Sequence, residues 1–132
     1  MGGFDVGRAG AILAVVDVDR SLAFYRDLLG FSVEAVYDDP PYATLSRAGM
    51  RLSLAEQAHK APDHDVAMTA PDDPLRTTTM LVLEVEDARA AHEALEAGGA
   101  NFVAPLYSPA WGGHRFFVLD PDGFFVEVEE PA

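Results

Sequence analysis

Carboxylates at alternating positions and one tryptophan in a glycine-rich loop are the residues of this chain best equipped for chemistry. In Phe125-Val126-Glu127-Val128-Glu129 the valines take one side of an extended strand, and Phe125, Glu127 and Glu129 take the other. In Met80 to Val85, Met80, Val82 and Glu84 share a side opposite Leu81, Leu83 and Val85. If the wholly apolar side packs on a helix, Glu84 points the same way as Glu127. The other reading leaves Glu84 and Glu129 at strand ends in water. Grouped carboxylates can pair with a cation, and one kept from water can titrate high enough to serve as a general base. Trp111, followed by Gly112 and Gly113, offers a flat face on which a planar heterocycle can stack. Phe116, Phe117, Phe125, Tyr42 and Tyr107 can add aromatic walls, and each suits a plain core position at least as well.

The histidines offer less. His59 and His64 fall in a polar stretch with Asp63 and Asp65, where solvated loop residues or an adventitious metal contact are the two readings. His92 follows a helical pattern beside Glu93 and is expected on the exposed helix face. His114 opens a strand, as a ligand contact or as a surface residue. Cysteine is absent, which excludes disulfides, thiolate metal sites and cysteine nucleophiles. No phosphate-binding glycine loop, dinucleotide fingerprint or Ser-His-Asp order is present.

The elements that must position these residues follow from periodicity. Ala11 to Val16 is a β-branched apolar run and reads as a buried strand. Asp17 or Asp19 is suited to cap a helix over Arg20 to Leu29, where Leu22, Tyr25, Leu28 and Leu29 recur at helical spacing. Gly30 sits where a helix-ending glycine belongs. Strands are expected at Phe31 to Tyr37, Tyr42 to Ser46 and Arg51 to Ala55, with turns at Asp38 to Pro41 and at Ala48-Gly49. Glu56 to Arg76 has three prolines and no period, and reads as a connection. The pattern then returns: a strand at Met80 to Val85, a helix at Ala88 to Ala97 closed by Gly98-Gly99, and a strand at Asn101 to Ala104. A loop over Pro105 to Gly113 leads to strands at Arg115 to Leu119 and Phe124 to Glu129, joined by Asp120-Pro121-Asp122-Gly123. That last tetrapeptide is a strong hairpin signal. The halves match at an offset of about 69 residues, with Val16 on Val85, Arg20 on Arg89 and Gly30 on Gly99. Each half reads βαβββ.

The segments Val15 to Phe31 (VVDVDRSLAFYRDLLGF) and Trp111 to Glu130 (WGGHRFFVLDPDGFFVEVEE) resemble the vicinal oxygen chelate superfamily, which includes glyoxalases, extradiol dioxygenases and bleomycin resistance proteins. The resemblance runs from about Gly10 to Glu130. It implies an α+β fold of two βαβββ modules, their sheets curled around a central cavity. Residues 4–132 would form a single domain, with modules over about 10–56 and 77–130 and a linker over about 57–76.

Enzymes of the superfamily usually hold a divalent metal with a histidine from the first strand, a histidine or equivalent from the first strand of the second module, and a glutamate from the last strand. Glyoxalase-type members add a carboxylate from the first module. By this resemblance Glu127 matches the last-strand glutamate. The other two positions fall on Gly10 (or Ala11) and on Met80 (or Thr79), which are poor ligands for a hard cation. His114 falls where many relatives carry arginine. The Trp-Gly segment is closest to the bleomycin resistance branch.

The expectation is therefore non-catalytic binding of a small molecule, cationic or aromatic or both, as in an antibiotic-resistance protein. The contacts would come from Trp111, His114, Glu127, Phe125, Glu84, Met80, Tyr42 and Phe116, with no cofactor. The alternative is a metal-dependent lyase, dioxygenase or transferase with an atypical site, and a metal-free enzyme using Glu127 as base is a third reading. The formal net charge of −13 disfavours nucleic acid and anionic membrane as partners. No apolar run is long enough to span a bilayer, and Met1 to Gly10 lacks the pattern of a signal peptide. A cytoplasmic location is expected, and the resemblance implies a homodimer.

Overall fold

The computed structural model describes residues 3–132; Met1 and Gly2, at the head of the stretch read for a signal peptide, lie outside the described residues. The chain resolves into two compact units, divided between Ala70 and Pro71. The division falls inside the connection expected over residues 57–76. None of the described helices is long and apolar enough to cross a membrane.

The first unit runs β1 (Gly10–Val15), α1 (Val18–Ala23), β2 (Ser32–Asp38), β3 (Pro41–Arg47) and β4 (Met50–Glu56). The second runs β5 (Met80–Glu84), α2 (Ala88–Ala97), β6 (Asn101–Tyr107), β7 (His114–Leu119) and β8 (Phe125–Glu130). Each makes a four-stranded sheet of one plan, ordered β1-β4-β3-β2 and β5-β8-β7-β6. The first strand pairs parallel with the last, and the remaining pairs are antiparallel. Both units are therefore βαβββ modules of an α+β fold.

Aspartates cap both helices. Asp17 accepts the backbone N–H of Arg20 at 3.2 Å, and Asp87 that of Ala90 at 3.0 Å. Each satisfies a donor that the first helical turn leaves free. The helix expected over Arg20 to Leu29 is not regular throughout. After Ala23 it widens into a π-helical turn over Phe24–Leu28, where the Leu29 N–H reaches the Phe24 carbonyl at 3.2 Å. The wide turn accompanies a fully buried Tyr25, whose ring meets Phe24 and Phe31 edge-on at 4.9 and 5.9 Å. A π turn leaves no mark on hydrophobic spacing, so periodicity alone reads it as ordinary helix.

The helix-facing side of each sheet is the core. In the first unit it is built of Leu13, Val15, Leu45, Leu52 and Leu54, and in the second of Phe116, Val118, Val126 and Val128. Removing each of these side chains from water contributes about 1.5–3 kcal/mol before the entropy of ordering is counted.

One boundary moves with consequences for the site. β6 was expected to stop at Ala104, before Pro105, yet it continues to Tyr107. Proline cannot donate to a ladder, but β6 is the edge of its sheet, and its pairing with β7 slips on both sides of Ala104. The extension brings Tyr107 opposite Arg115.

Candidate functional site

Cross-strand neighbours project to the same face of a sheet, so register fixes what lies beside Glu127. The DPDG turn sets that register. Asp120 accepts the N–H groups of Asp122 and Phe124, both at 2.9 Å, and Gly123 adopts φ +90°. The hairpin then pairs Leu119 with Phe125, Phe117 with Glu127 and Arg115 with Glu129. On the other flank of β8, Met80 pairs with Phe125, Val82 with Glu127 and Glu84 with Glu129. One open face of the second sheet thus carries Arg115, Phe117, Phe125, Glu127, Glu129, Met80, Val82 and Glu84.

Arg115 organises this face. Its Nη1 lies 3.6 Å from a carboxylate oxygen of Glu127. Its guanidinium carbon sits 5.2 Å from the ring centre of Phe117, 5.2 Å from that of Trp111 and 5.9 Å from that of Tyr107. All three distances fall within the reach of a cation–π interaction. The Arg115 side chain is 30% exposed and that of Glu127 14% exposed, while Trp111 is 68% exposed. The result is an ion pair walled by three aromatic rings, two of which, Trp111 and Tyr107, show more than half of their surface to solvent.

The remaining expected site residues divide. Met80 and Glu84 lie on the open face and are exposed. Glu84 sits at the strand end, opposite a half-buried Glu129. Tyr42 belongs to the first unit, on the side of its sheet away from the core, 6.3 Å from Tyr37. Two expectations are corrected. Phe116 is fully buried on the α2 side, 5.0 Å from the His92 ring and 5.7 Å from Phe102, so it is core. His114 shares the face of Phe116 by alternation. Its Nδ1 lies 2.7 Å from Ser108 Oγ, and its strand partner Glu130 accepts the Ala88 N–H at the start of α2. His114 therefore points away from Glu127. His92, expected on an exposed helix face, is half-buried against Phe102 at 4.3 Å. The loop histidines keep local company, His59 with Glu56 and His64 with the Val66 N–H.

Arg115 was missed by the sequence reading, although its signal was present. Counting back from the DPDG turn puts Phe117 beside Glu127 and Arg115 beside Glu129. Ser53 was missed as well. It pairs with Ile12 across the parallel β1–β4 ladder as Glu127 pairs with Val82, and so holds the first module's counterpart of the Glu127 position.

These residues do not fit the divalent metal that the resemblance implies. The positions in question carry Gly10, Ser53, Met80 and Glu127. Gly10 has no donor side chain, and a Cβ there would collide with the Arg51 carbonyl oxygen, so the backbone itself resists a ligand. Met80 offers a soft thioether and Ser53 a neutral hydroxyl. Glu127 is already paired with Arg115. Among the described residues no three His, Cys, Asp or Glu side chains cluster as a metal site.

Comparison with known proteins gives the same family from two directions. The profile of the Glyoxalase/Bleomycin resistance protein/Dioxygenase superfamily matches residues 7–128. A lactoylglutathione lyase of Haemophilus influenzae is 32% identical over 125 residues, covering 90% of this chain and 88% of that protein. Among solved structures, TioX from Micromonospora sp. ML1 superposes with a TM-score of 0.76 at 20% identity, covering 95% of this chain and 98% of that one. TnmS3, an antibiotic binding protein from Streptomyces sp. CB03234, does so with a TM-score of 0.72 at 20% identity, covering 100% and 99%. Profile and sequence identity together show that this chain belongs to the Glyoxalase/Bleomycin resistance protein/Dioxygenase superfamily.

Proposed function

We propose that the protein is a non-catalytic binding protein that sequesters a small molecule with a flat aromatic part. The observation that carries this reading is the exposed Trp111 ring beside Tyr107 and Phe117, around one guanidinium. Flat rings gain most by stacking on such a wall, and aromatic side chains supply large contact area at low entropic cost. The likeness to TnmS3, an antibiotic binding protein, supports the same direction. Of the two ligand properties expected from sequence, the aromatic one has this support, whereas Arg115 already takes the place a cation would seek beside Glu127. A metal-dependent lyase, dioxygenase or transferase would need ligands that Gly10, Ser53 and Met80 do not supply. The expectation of a homodimer carries over from the family resemblance, and sedimentation analysis of the purified chain tests it.

Trp111 is the chain's sole tryptophan, so fluorescence excited selectively in tryptophan reports on this site alone. Titration with a panel of flat aromatic compounds, antibiotics included, is expected to give a saturable change. Calorimetry on Trp111→Ala with the best binder is expected to show at least about a tenfold loss of affinity, the scale of about 1.4 kcal/mol. Unchanged binding in that variant overturns the reading. So does a stoichiometric divalent ion held through Glu127 in protein purified without chelators.

A further inference from the structure

We propose that Arg115, not Glu127, is the polar anchor of this site, and that its ligand is a flat aromatic compound bearing an anionic oxygen, a carboxylate or phenolate. This deepens the small-molecule binding reading above and rests on it.

The inference follows from how little the protein does with the donors of Arg115. A guanidinium carries five N–H groups and accepts nothing. Among the described residues none of the five makes a hydrogen bond. Nε is sealed from solvent with no partner, and the nearest Glu127 oxygen, at 3.6 Å from Nη1, is too far for one. The three rings hold the cation by their faces, which stabilises its charge and leaves its in-plane N–H edges unused. A side chain so held has already lost most of its rotamer freedom, and a planar oxyanion gains two parallel hydrogen bonds from it. The rest of a flat ligand then lies along Trp111.

A cation at the same place would meet Arg115 before Glu127, because Glu127 is the more buried of the two. The chain's net charge of −13 repels anions at long range, but that field is screened beyond about 8 Å at physiological salt, and the nearest group decides the contact. Glu127 then acts as a positioning residue, holding Arg115 under the rings while weakening its pull on a ligand anion.

The test uses two matched probes, 4-nitrobenzoate and (4-nitrobenzyl)trimethylammonium, each titrated by calorimetry and by quenching of Trp111. The anion is expected to bind saturably and the cation not. Arg115→Met should lose the anion by about tenfold or more, and Arg115→Lys should recover only part of it. Glu127→Gln should leave the anion bound as tightly or several-fold tighter, where a cation site would lose its ligand outright. Thermal unfolding of each variant separates lost binding from lost fold, and Arg115→Lys and Glu127→Gln remain informative if Arg115→Met does not fold. Saturable binding of the cation that Glu127→Gln abolishes overturns the inference and leaves sequestration standing. Anion binding that ignores all three substitutions also overturns it. If neither probe nor any flat aromatic compound saturates Trp111, both readings fall.

Discussion

The two modules share one plan and differ in what they put on the sheet face turned away from the helix. In the first, β1, β4 and β3 carry Gly10, Ile12, Arg51, Ser53, Tyr42, Thr44 and Ser46 there, with Ser53 fully buried and its hydroxyl without a partner among the described residues. In the second, the equivalent strands carry Arg115, Phe117, Glu127 and Met80. A neutral Ser53 on one sheet, where the other carries Glu127 in a ring-walled ion pair, means that the duplication preserved the scaffold and not the chemistry. The helix-facing sides tell the opposite story, since both are continuous walls of leucine, valine and aromatic residues.

The strongest way to break that contrast is to swap its two faces within one strand. Phe116 and Phe117 are adjacent, one fully buried under α2 and one half-buried beside Arg115. Phe116→Ala is expected to cost about 3–5 kcal/mol of stability, as large core truncations do. Phe117→Ala should cost clearly less while weakening ligand binding. Equal losses in urea unfolding would mean that the open face is core after all.

A smaller effect is expected at Gly10. Gly10→His restores the residue type that metal enzymes of the family use there, but its Cβ must displace the Arg51 carbonyl. The variant is expected to lose about 1–3 kcal/mol, in the manner of an overpacked site, and to take up no divalent ion. Metal analysis of the folded variant checks this, and stoichiometric uptake would show that the backbone at Gly10 does accept a metal ligand.

The smallest effect sharpens the first module alone. Arg8 grips Glu34 through two hydrogen bonds, at 2.6 and 3.0 Å, and holds its carboxyl below the ordinary range. A carboxyl whose folded pKa is lowered contributes stability above its unfolded value, near 4.3, and loses that contribution as pH falls through the folded one. Glu34→Gln should therefore flatten the acid limb of an unfolding profile slightly, and leave stability at high pH no greater than that of the wild type.

Much of this was legible in the sequence wherever local chemistry and period agree. The ends of α2, the aspartate cap of α1, the DPDG hairpin and the alternation of Glu127 with its valines were all readable, because each depends on a few neighbouring residues. The failures share a cause. His114 and Phe116 were grouped with Glu127 by their nearness to the hairpin, while the face a residue takes depends on counting register across the turn. Tyr107 reads as loop because Pro105 ends a strand by rule, and only the sheet order makes β6 an edge where that rule relaxes. Arg115 was passed over because an acidic strand invites a search for outside cations, and here the cation is the chain's own.

The same Pro105 bears on association. A sheet edge with a continuous row of free N–H and C=O groups is a template for another strand, from a second copy or a misfolded neighbour. On β6 that row is interrupted by a residue with no N–H and by two slips of register within seven residues. A strand from another molecule would find no uninterrupted ladder to extend there. The irregular edge that brings Tyr107 to Arg115 thereby guards the β6 side of the second sheet against edge-to-edge aggregation.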